Sequence, residues 1–236
     1  MKSLIIKTLA FFGFNLSKKN KRGWSPEYLR SLSDANVVLD IGAAYGTPKL
    51  YKAFEGRRFI LFEPLTDYHN SLELWKKKIN CEVVYSALGN ENGEIQITVD
   101  PRRKTMSSLV QRADTTRAEG TPENRSVQIS KLDTIVGNYL NEQDRIIMKI
   151  DVEGFELEVL KGSEQTLSRT DLVIVETSVA ILYENQAGYL DIIAFMDNQG
   201  FRLFDILHLA YYRDWKGLMW MDLVFTPKNR AFNYSK

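Results

Sequence analysis

The stretch Val37-Val38-Leu39-Asp40-Ile41-Gly42-Ala43-Ala44-Tyr45-Gly46 decides the fold of this chain. It is an apolar run that ends in an acid and then turns through two glycines into a helical pattern. The next apolar run, Phe59–Phe62, is also followed by an acid, Glu63. A strand, a glycine turn, a helix, a second strand and an acid, in this order, are typical of a site for the adenosine part of a cofactor.

Strands and helices alternate along the rest of the chain, which predicts an α/β fold with a mostly parallel, doubly wound sheet. The expected strands are Val37–Ile41, Phe59–Phe62, Glu82–Tyr85, Ile95–Val99, Ile146–Ile150, Leu172–Val175, Phe201–Ile206 and Met219–Phe225, with a short extended segment at Val127–Ile129. The expected helices after the one that begins at Ser25 are Thr47–Phe54, Ser71–Lys78, Leu132–Leu140, Glu156–Leu167 and Leu190–Asn198. We predict one domain over residues 25–228, with an arm at 1–24 and a tail at 229–236.

The polar segment at about 100–126 carries the charge run Arg102-Arg103-Lys104 and few large apolar side chains. A segment of this length without elements of its own is usually a functional or mobile loop. We predict a mobile loop insertion here. Its charge run is either a solvated surface or a contact for an anionic acceptor.

The composition sets limits on partners and compartment. The net charge of the 236-residue chain is +1, so nothing in it favours nucleic acid as a partner. The single cysteine, Cys81, excludes an internal disulfide and a paired thiolate metal site. These features are typical of a cytoplasmic protein.

The N-terminal arm is basic, because six lysines and arginines and no acid precede Glu27. Its apolar residues, Leu4-Ile5-Ile6 and Leu9-Ala10-Phe11-Phe12, form a run far shorter than the roughly 20 residues that cross a membrane. Residues 1–22 therefore either lie on the anionic inner face of a membrane or pack on the domain.

Four acids end apolar runs and would meet at one edge of a parallel sheet: Asp40, Glu63, Asp151 and Glu176. Carboxylates near a core are costly unless they have partners. A cationic cofactor, ribose hydroxyls or a metal ion would each supply one.

The glycine turn distinguishes between cofactors. A dinucleotide site usually has three glycines, and here Ala44 stands in place of the second. Asp40 would also face a pyrophosphate unfavourably, whereas the ammonium group of S-adenosylmethionine tolerates an acid. The turn therefore favours S-adenosylmethionine, and a nicotinamide-dependent oxidoreductase stays as the alternative.

Two segments resemble one known family. The glycine turn is similar to motif I of class I S-adenosylmethionine-dependent methyltransferases. The segment Met148–Gly162 resembles the I-D-V-E-G-x-E-x-x-V-L-x-G signature of the FkbM family within that class, and Ser107-Ser108-Leu109 and Leu132-Asp133 fall where this family has similar elements. The resemblance implies a seven-stranded, Rossmann-like sheet with the last strand antiparallel. It also implies O-methylation of a sugar hydroxyl in a glycan, glycolipid or other glycoside, with no internal evidence for which one.

The resemblance also implies roles for individual residues. Glu63 would accept both ribose hydroxyls, and Asp40 would lie near the amino-acid end of the cofactor or stabilise the turn. The remaining residues expected at the cofactor are Gly42, Ala43, Tyr45, Gly46, Pro64, Ser86, Ala87, Leu88 and Asp151.

The candidates for catalysis follow later strands. Asp151 is the first choice for the general base, with Glu153 beside it and Glu176 at the next strand end. Both Asp151 and Glu153 have helix capping as an alternative role. His208 is a further candidate base or a structural histidine. Magnesium or calcium at these oxygens is left open but not favoured. A protein that binds the cofactor without catalysis is the third hypothesis.

Overall fold

The computed structural model describes residues 22–99, 123–181, 186–211 and 217–231. Several residues of interest lie outside these ranges: the arm up to residue 21, the charge run Arg102–Lys104, Ser107, Ser108 and the tail from residue 232. Among the described residues, no helix is both long and apolar enough to cross a membrane.

The described elements alternate between helix and strand, as the sequence predicts. The helices are α1 (Pro26–Leu32), α2 (Pro48–Ala53), α3 (His69–Lys76), α4 (Leu132–Ile135), α5 (Glu156–Lys161), α6 (Glu164–Leu167) and α7 (Tyr189–Asn198). The strands are β1 (Val37–Ile41), β2 (Arg58–Phe62), β3 (Cys81–Val84), β4 (Ala87–Leu88), β5 (Gly93–Val99), β6 (Glu123–Ser130), β7 (Ile146–Ile150), β8 (Thr170–Ser178), β9 (Phe201–Tyr211) and β10 (Leu218–Pro227). Short 3-10 turns lie at Thr66–Tyr68 and Val136–Asn138.

Seven strands form the main sheet in the order β3-β2-β1-β7-β8-β10-β9. β1 pairs in parallel with β2 on one side and with β7 on the other, while β10 is antiparallel to both β8 and β9. This confirms the predicted doubly wound sheet with an antiparallel last strand. The strand order reverses between β1 and β7, and ligands of such sheets bind at the carboxyl ends of the strands near that point.

The expected strand Ile95–Val99 and the expected extended segment Val127–Ile129 do not belong to the main sheet. They lie in β5 and β6 of a separate three-stranded sheet with the order β4-β6-β5. β5 pairs antiparallel with β6 from Gly93–Ile129 to Val99–Glu123. The extended segment therefore begins at Glu123, and the predicted loop boundary near residue 126 is wrong. Residues 123–126 are polar because their part of the strand is largely exposed. They pair with β5, but they carry no apolar pattern from which a strand could be predicted.

The predicted helix Glu156–Leu167 is divided into α5 and α6 at Gly162 and Ser163. A Cβ at Gly162 would lie 1.9 Å from the carbonyl oxygen of Gly89, so this glycine allows the chain to pass close to β4. β9 is also longer than predicted, because it pairs with β10 along its length up to Tyr211.

Both faces of the central sheet are buried, which explains why its strands read as continuous apolar runs. All residues of β1 and β7 are buried. One face packs on α5, α6 and α7 through residues such as Leu160 and Met196, and the other packs on α1, α2 and α3 through residues such as Leu29 and Leu50. The strand ends at the order reversal are therefore held rigidly between two cores.

Candidate active site

The glycine turn after β1 is fixed by backbone hydrogen bonds and by a close contact. The amides of Gly42 and Ala43 both donate to the carbonyl oxygen of Phe62, at 3.0 and 3.1 Å. Gly42 has φ +76°, and a Cβ there would lie 1.9 Å from the carbonyl oxygen of Asp151. A side chain at this position is therefore excluded by both conformation and space, and the turn runs directly against the loop that follows β7.

Glu63 closes the turn from the adjacent strand. Its carboxylate accepts one hydrogen bond from the Ala44 amide and one from the Leu65 amide, each at 2.9 Å. The residue is 5% exposed, and burial raises the pKa of the carboxyl group to about 7, although these two amides and Lys149 oppose the shift. Each carboxylate oxygen keeps a further lone pair with which it can accept a ligand hydroxyl.

A cavity of about 460 Å³ opens at the carboxyl ends of β1, β2, β7 and β8. Its walls contain every residue predicted at the cofactor except Asp40, together with three of the predicted catalytic residues. Those that line it are Gly42, Ala43, Tyr45, Gly46, Glu63, Pro64, Ser86, Ala87, Leu88, Asp151, Glu153 and Glu176. The volume lies in the usual range for small-molecule sites.

Asp40 lies beneath this cavity rather than in its wall. It is fully buried, accepts a hydrogen bond from the Tyr51 hydroxyl at 2.6 Å, and lies 3.4 Å from the ammonium of Lys149. Of the two roles expected for Asp40, contact with the cofactor and stabilisation of the turn, its observed contacts agree with the second, because Lys149 also donates to the Gly42 carbonyl oxygen. Its partner Lys149 was not evident from the sequence, because Lys149 faces Asp40 only across the pairing of β1 with β7.

Lys149 connects the glycine turn with the acids after β7. Its ammonium lies 3.2 Å from the Gly42 carbonyl oxygen, to which it donates, and 3.2 Å from a carboxylate oxygen of Asp151. Burial disfavours its charge, but the negative charges of Asp151 and Asp40 outweigh this effect and raise the pKa of the ammonium. Lys149 therefore supplies a fixed positive charge at the floor of the cavity. Sequence reasoning missed it, although a lysine within a wholly buried apolar strand was a usable signal.

Three carboxylates meet at the far end of the cavity. Oxygens of Asp151, Glu153 and Glu176 lie within 4.8 Å of one another. Glu153 has the left-handed φ of +54°, which is uncommon outside glycine. Burial, followed by the charges of Asp151 and Glu153, raises the pKa of Glu176 well above its usual range. The cluster can hold a proton, accept hydroxyl donors or bind an oxygen-preferring cation.

The sequence matches the family described as the Methyltransferase FkbM domain over residues 40–203, which is more than half of the chain. The chain belongs to this family. It therefore contains a domain of this methyltransferase family, and its fold is shared by a solved FkbM methyltransferase from Methylobacillus flagellatus. That structure has 14% identity and a TM-score of 0.51, with 84% of this chain and 50% of that chain covered.

A curated relative of this FkbM methyltransferase is the hexuronic acid methyltransferase AglP of Haloferax volcanii. It is 27% identical over 157 residues, which are 65% of this chain and 60% of the relative. The chain thus spans about 60% of that protein's length. The family assignment decides against the nicotinamide-dependent oxidoreductase.

One predicted catalytic residue of the FkbM methyltransferase lies elsewhere. His208 is exposed within β9, opposite Asp222 of β10, and it lines neither cavity at the strand ends. The prediction placed it after the strand, but β9 continues to Tyr211. Glu156 was expected to belong to the helix only. It is the first residue of α5, but it also lines the cavity and accepts hydrogen bonds from the amides of Val152 and Gly154 at 3.2 and 3.0 Å.

A second, smaller cavity of about 130 Å³ adjoins the first. The two share Thr47, Lys149, Asp151 and Glu176. The remaining walls of the second come partly from Trp24 and Asp222, which are distant in sequence. Sequence reasoning missed both, because neither lies near a motif and only the tertiary fold brings them together.

Proposed function

We propose that this FkbM methyltransferase transfers a methyl group from S-adenosylmethionine to a hydroxyl group of a sugar-containing acceptor. The observation that carries the proposal is the cavity itself. Glu63 forms one end of it, the cluster of Asp151, Glu153 and Glu176 forms the other, and the glycine turn contacts both through the Ala44 amide and Gly42. A cofactor that lies between them has its adenosine at the first end and its reacting group at the second.

The residues at the first end fit the cofactor in shape and chemistry. Glu63 is held by two backbone amides and keeps acceptor capacity for the ribose diol. Ser86, Ala87 and Leu88 are buried and offer a close surface for the adenine. Gly42 and Gly46 let the backbone approach the methionine part, where a side chain would otherwise intervene.

The residues at the second end act on the acceptor. S-adenosylmethionine, when bound, supplies an electrophilic methyl group on a positively charged sulfur. Asp151 is the proposed acceptor of the proton from the sugar hydroxyl, and the ammonium of Lys149 at 3.2 Å compensates the negative charge of its carboxylate. Glu176 has a raised pKa and so carries its proton at neutral pH, which allows it to donate a hydrogen bond to an acceptor oxygen.

A metal ion is not needed for this arrangement. The three carboxylates would suit magnesium or calcium, which prefer oxygen ligands. However, Lys149 already places a positive charge against Asp151, and this charge opposes the binding of a second cation there. We therefore propose that positioning and Asp151 supply the catalysis.

A sugar acceptor is supported by the relative that methylates a hexuronic acid and by the family resemblance in the sequence. For the arm, we propose contact of residues 1–22 with an anionic lipid surface, since all of its charged residues are basic. Removal of residues 1–22 should lower binding to phosphatidylserine vesicles and leave binding to neutral vesicles unchanged. Equal binding by the full chain and the shortened chain would contradict the lipid contact.

The test of the proposed function is methylation of glycans from a strain that lacks the gene. Purified protein and S-adenosylmethionine should add the mass of one methylene group to a sugar, as detected by mass spectrometry of the released glycans. The Asp151→Asn variant serves as the negative control, because it keeps the cavity but loses the proposed base. Binding of the cofactor without methylation of any glycan fraction would favour the non-catalytic hypothesis instead.

A further inference from the structure

The second cavity has walls that the family match does not account for. Trp24 lies before residue 40 and Asp222 lies after residue 203, so both fall outside the matched region. They nevertheless stand beside Asp151 and Glu176, the residues that we assign to the acceptor. The cavity therefore adjoins the part of the larger one to which we assign the acceptor.

The structure holds Trp24 and Asp222 together in a defined arrangement. The indole nitrogen of Trp24 donates to a carboxylate oxygen of Asp222 at 2.5 Å. Asp222 is fixed in β10 opposite Glu176 of β8, and it is 8% exposed. Just before Trp24, Gly23 has φ +69° and passes close to the carbonyl oxygen of Leu207 in β9. The N-terminal end of the domain is thereby anchored at this cavity.

The electrostatics of the cavity disfavour a further anion. Its walls contain the carboxylates of Asp151 and Asp222 beside the protonated Glu176, whereas Lys149 is the one basic side chain that the described residues contribute to either cavity. Lys149 is already shared by Asp40 and Asp151. Burial raises the pKa of Asp222, and the hydrogen bond from Trp24 opposes this shift only in part.

The same walls suit a neutral sugar. Carboxyl groups accept hydrogen bonds from hydroxyl groups, and the half-buried indole of Trp24 offers a flat apolar surface with a polar edge. The volume of about 130 Å³ is below the range for a whole drug-sized ligand, so the cavity fits one edge of a sugar ring rather than an oligosaccharide.

We propose that the cavity between Trp24 and Asp222 is the acceptor subsite and that it selects a neutral, hydroxyl-rich sugar over a uronic acid. This inference rests on the proposed function. It separates this protein from the relative that methylates a hexuronic acid. In the subsite, the indole of Trp24 packs against the apolar face of the sugar ring, and the Asp222 carboxyl group accepts a hydrogen bond from a hydroxyl group of that ring.

The test measures methyl transfer to pairs of glycosides that differ only in the acid group, such as methyl glucoside and methyl glucuronide, by release of S-adenosylhomocysteine. The wild-type protein should prefer the neutral partner at least tenfold in kcat/KM. Trp24→Ala should lower that value at least tenfold, mainly through KM, while Trp24→Phe, which keeps a flat ring, should retain most of it.

Asp222→Asn tests the charge directly, because it should reduce the preference for the neutral glycoside about tenfold. Glu27→Gln removes a negative charge from the exposed surface of α1 and is the matched control, which should keep the preference. Preference for the glucuronide, an unchanged ratio in Asp222→Asn, or turnover of neither glycoside would each overturn the subsite. Binding of S-adenosylmethionine is measured separately by calorimetry. A protein that does not bind S-adenosylmethionine would count against the proposed function itself, whereas the outcomes above in a protein that binds it count against the subsite.

Discussion

The buried charge of Lys149 gives the sharpest prediction about stability. Replacement by methionine, which has similar length and no charge, removes the ammonium that lies 3.4 Å from Asp40 and 3.2 Å from Asp151. Asp40 is fully buried and would keep only the hydrogen bond from Tyr51. Loss of one partner from a buried ion pair costs about 3–5 kcal/mol, because an uncompensated charge stays in the interior. Natural domains have a total free energy of unfolding of only about 5–15 kcal/mol.

The assay is urea unfolding followed by circular dichroism, with Lys161→Met as the matched control. Lys161 also pairs with an acid, Glu158, at 2.6 Å, but both side chains are partly exposed. Surface pairs of this kind contribute about 0–1 kcal/mol. Lys149→Met should therefore lower the free energy of unfolding by several times more than Lys161→Met does.

A double-mutant cycle with Asp40→Asn separates the pair from simple loss of packing. If Asp40 and Lys149 interact as described, the double variant should be more stable than the sum of the two single effects by about 1–3 kcal/mol. Strictly additive effects, or a loss below about 1 kcal/mol in Lys149→Met, would refute the ion pair as a stabilising unit of the site.

Three further predictions concern the turn and the catalytic acids. Gly42→Ala should destabilise the fold by at least about 3 kcal/mol in urea unfolding, because a left-handed conformation costs about 1–2 kcal/mol and the Cβ would also meet the Asp151 carbonyl oxygen. Gly56→Ala, with φ +84° and open space, should show only the conformational cost, and equal losses would contradict the close approach. The Glu63 carboxyl group, with its pKa raised to about 7, should bind the cofactor more tightly as pH rises from 6 to 8, measured by calorimetry. Because this pKa exceeds the unfolded value of 4.5, ionisation of Glu63 should lower the stability of the free protein as pH rises from about 4.5 to about 7, with little further change above that, and pH-independent values for both affinity and stability would count against its burial. Asp151→Asn should lower kcat about 100-fold or more and change cofactor affinity only slightly, and a loss confined to KM would remove it as the base.

The sequence was sufficient for the sheet because its core strands are buried on both faces. Runs such as Ile146–Ile150 are then continuous and apolar, and they stand out without an alignment. The residues that follow these runs also predicted where the cavity lies, because the carboxyl ends of parallel strands meet at one edge of the sheet. The fold and many of the lining residues therefore followed from local patterns and one family signature.

The remaining features depend on tertiary contacts. β6 begins at Glu123 because β5 pairs with it, and nothing in residues 123–126 signals a strand. His208 is in an edge strand whose length is set by β10. The ion pair of Asp40 with Lys149 and the hydrogen bond of Trp24 with Asp222 join residues that are far apart in sequence, so spacing alone could not reveal them.

Calorimetric titration of S-adenosylmethionine into the wild-type protein and the Glu63→Gln variant tests the central claim most directly. The wild-type protein should bind one equivalent, whereas NAD should give no heat of binding. Glu63→Gln should bind about 10- to 100-fold more weakly, because a charge-assisted hydrogen bond contributes about 1.5–3 kcal/mol. The circular dichroism of the variant should stay native. Binding of NAD in place of S-adenosylmethionine, or unchanged affinity in a folded Glu63→Gln variant, would contradict the account.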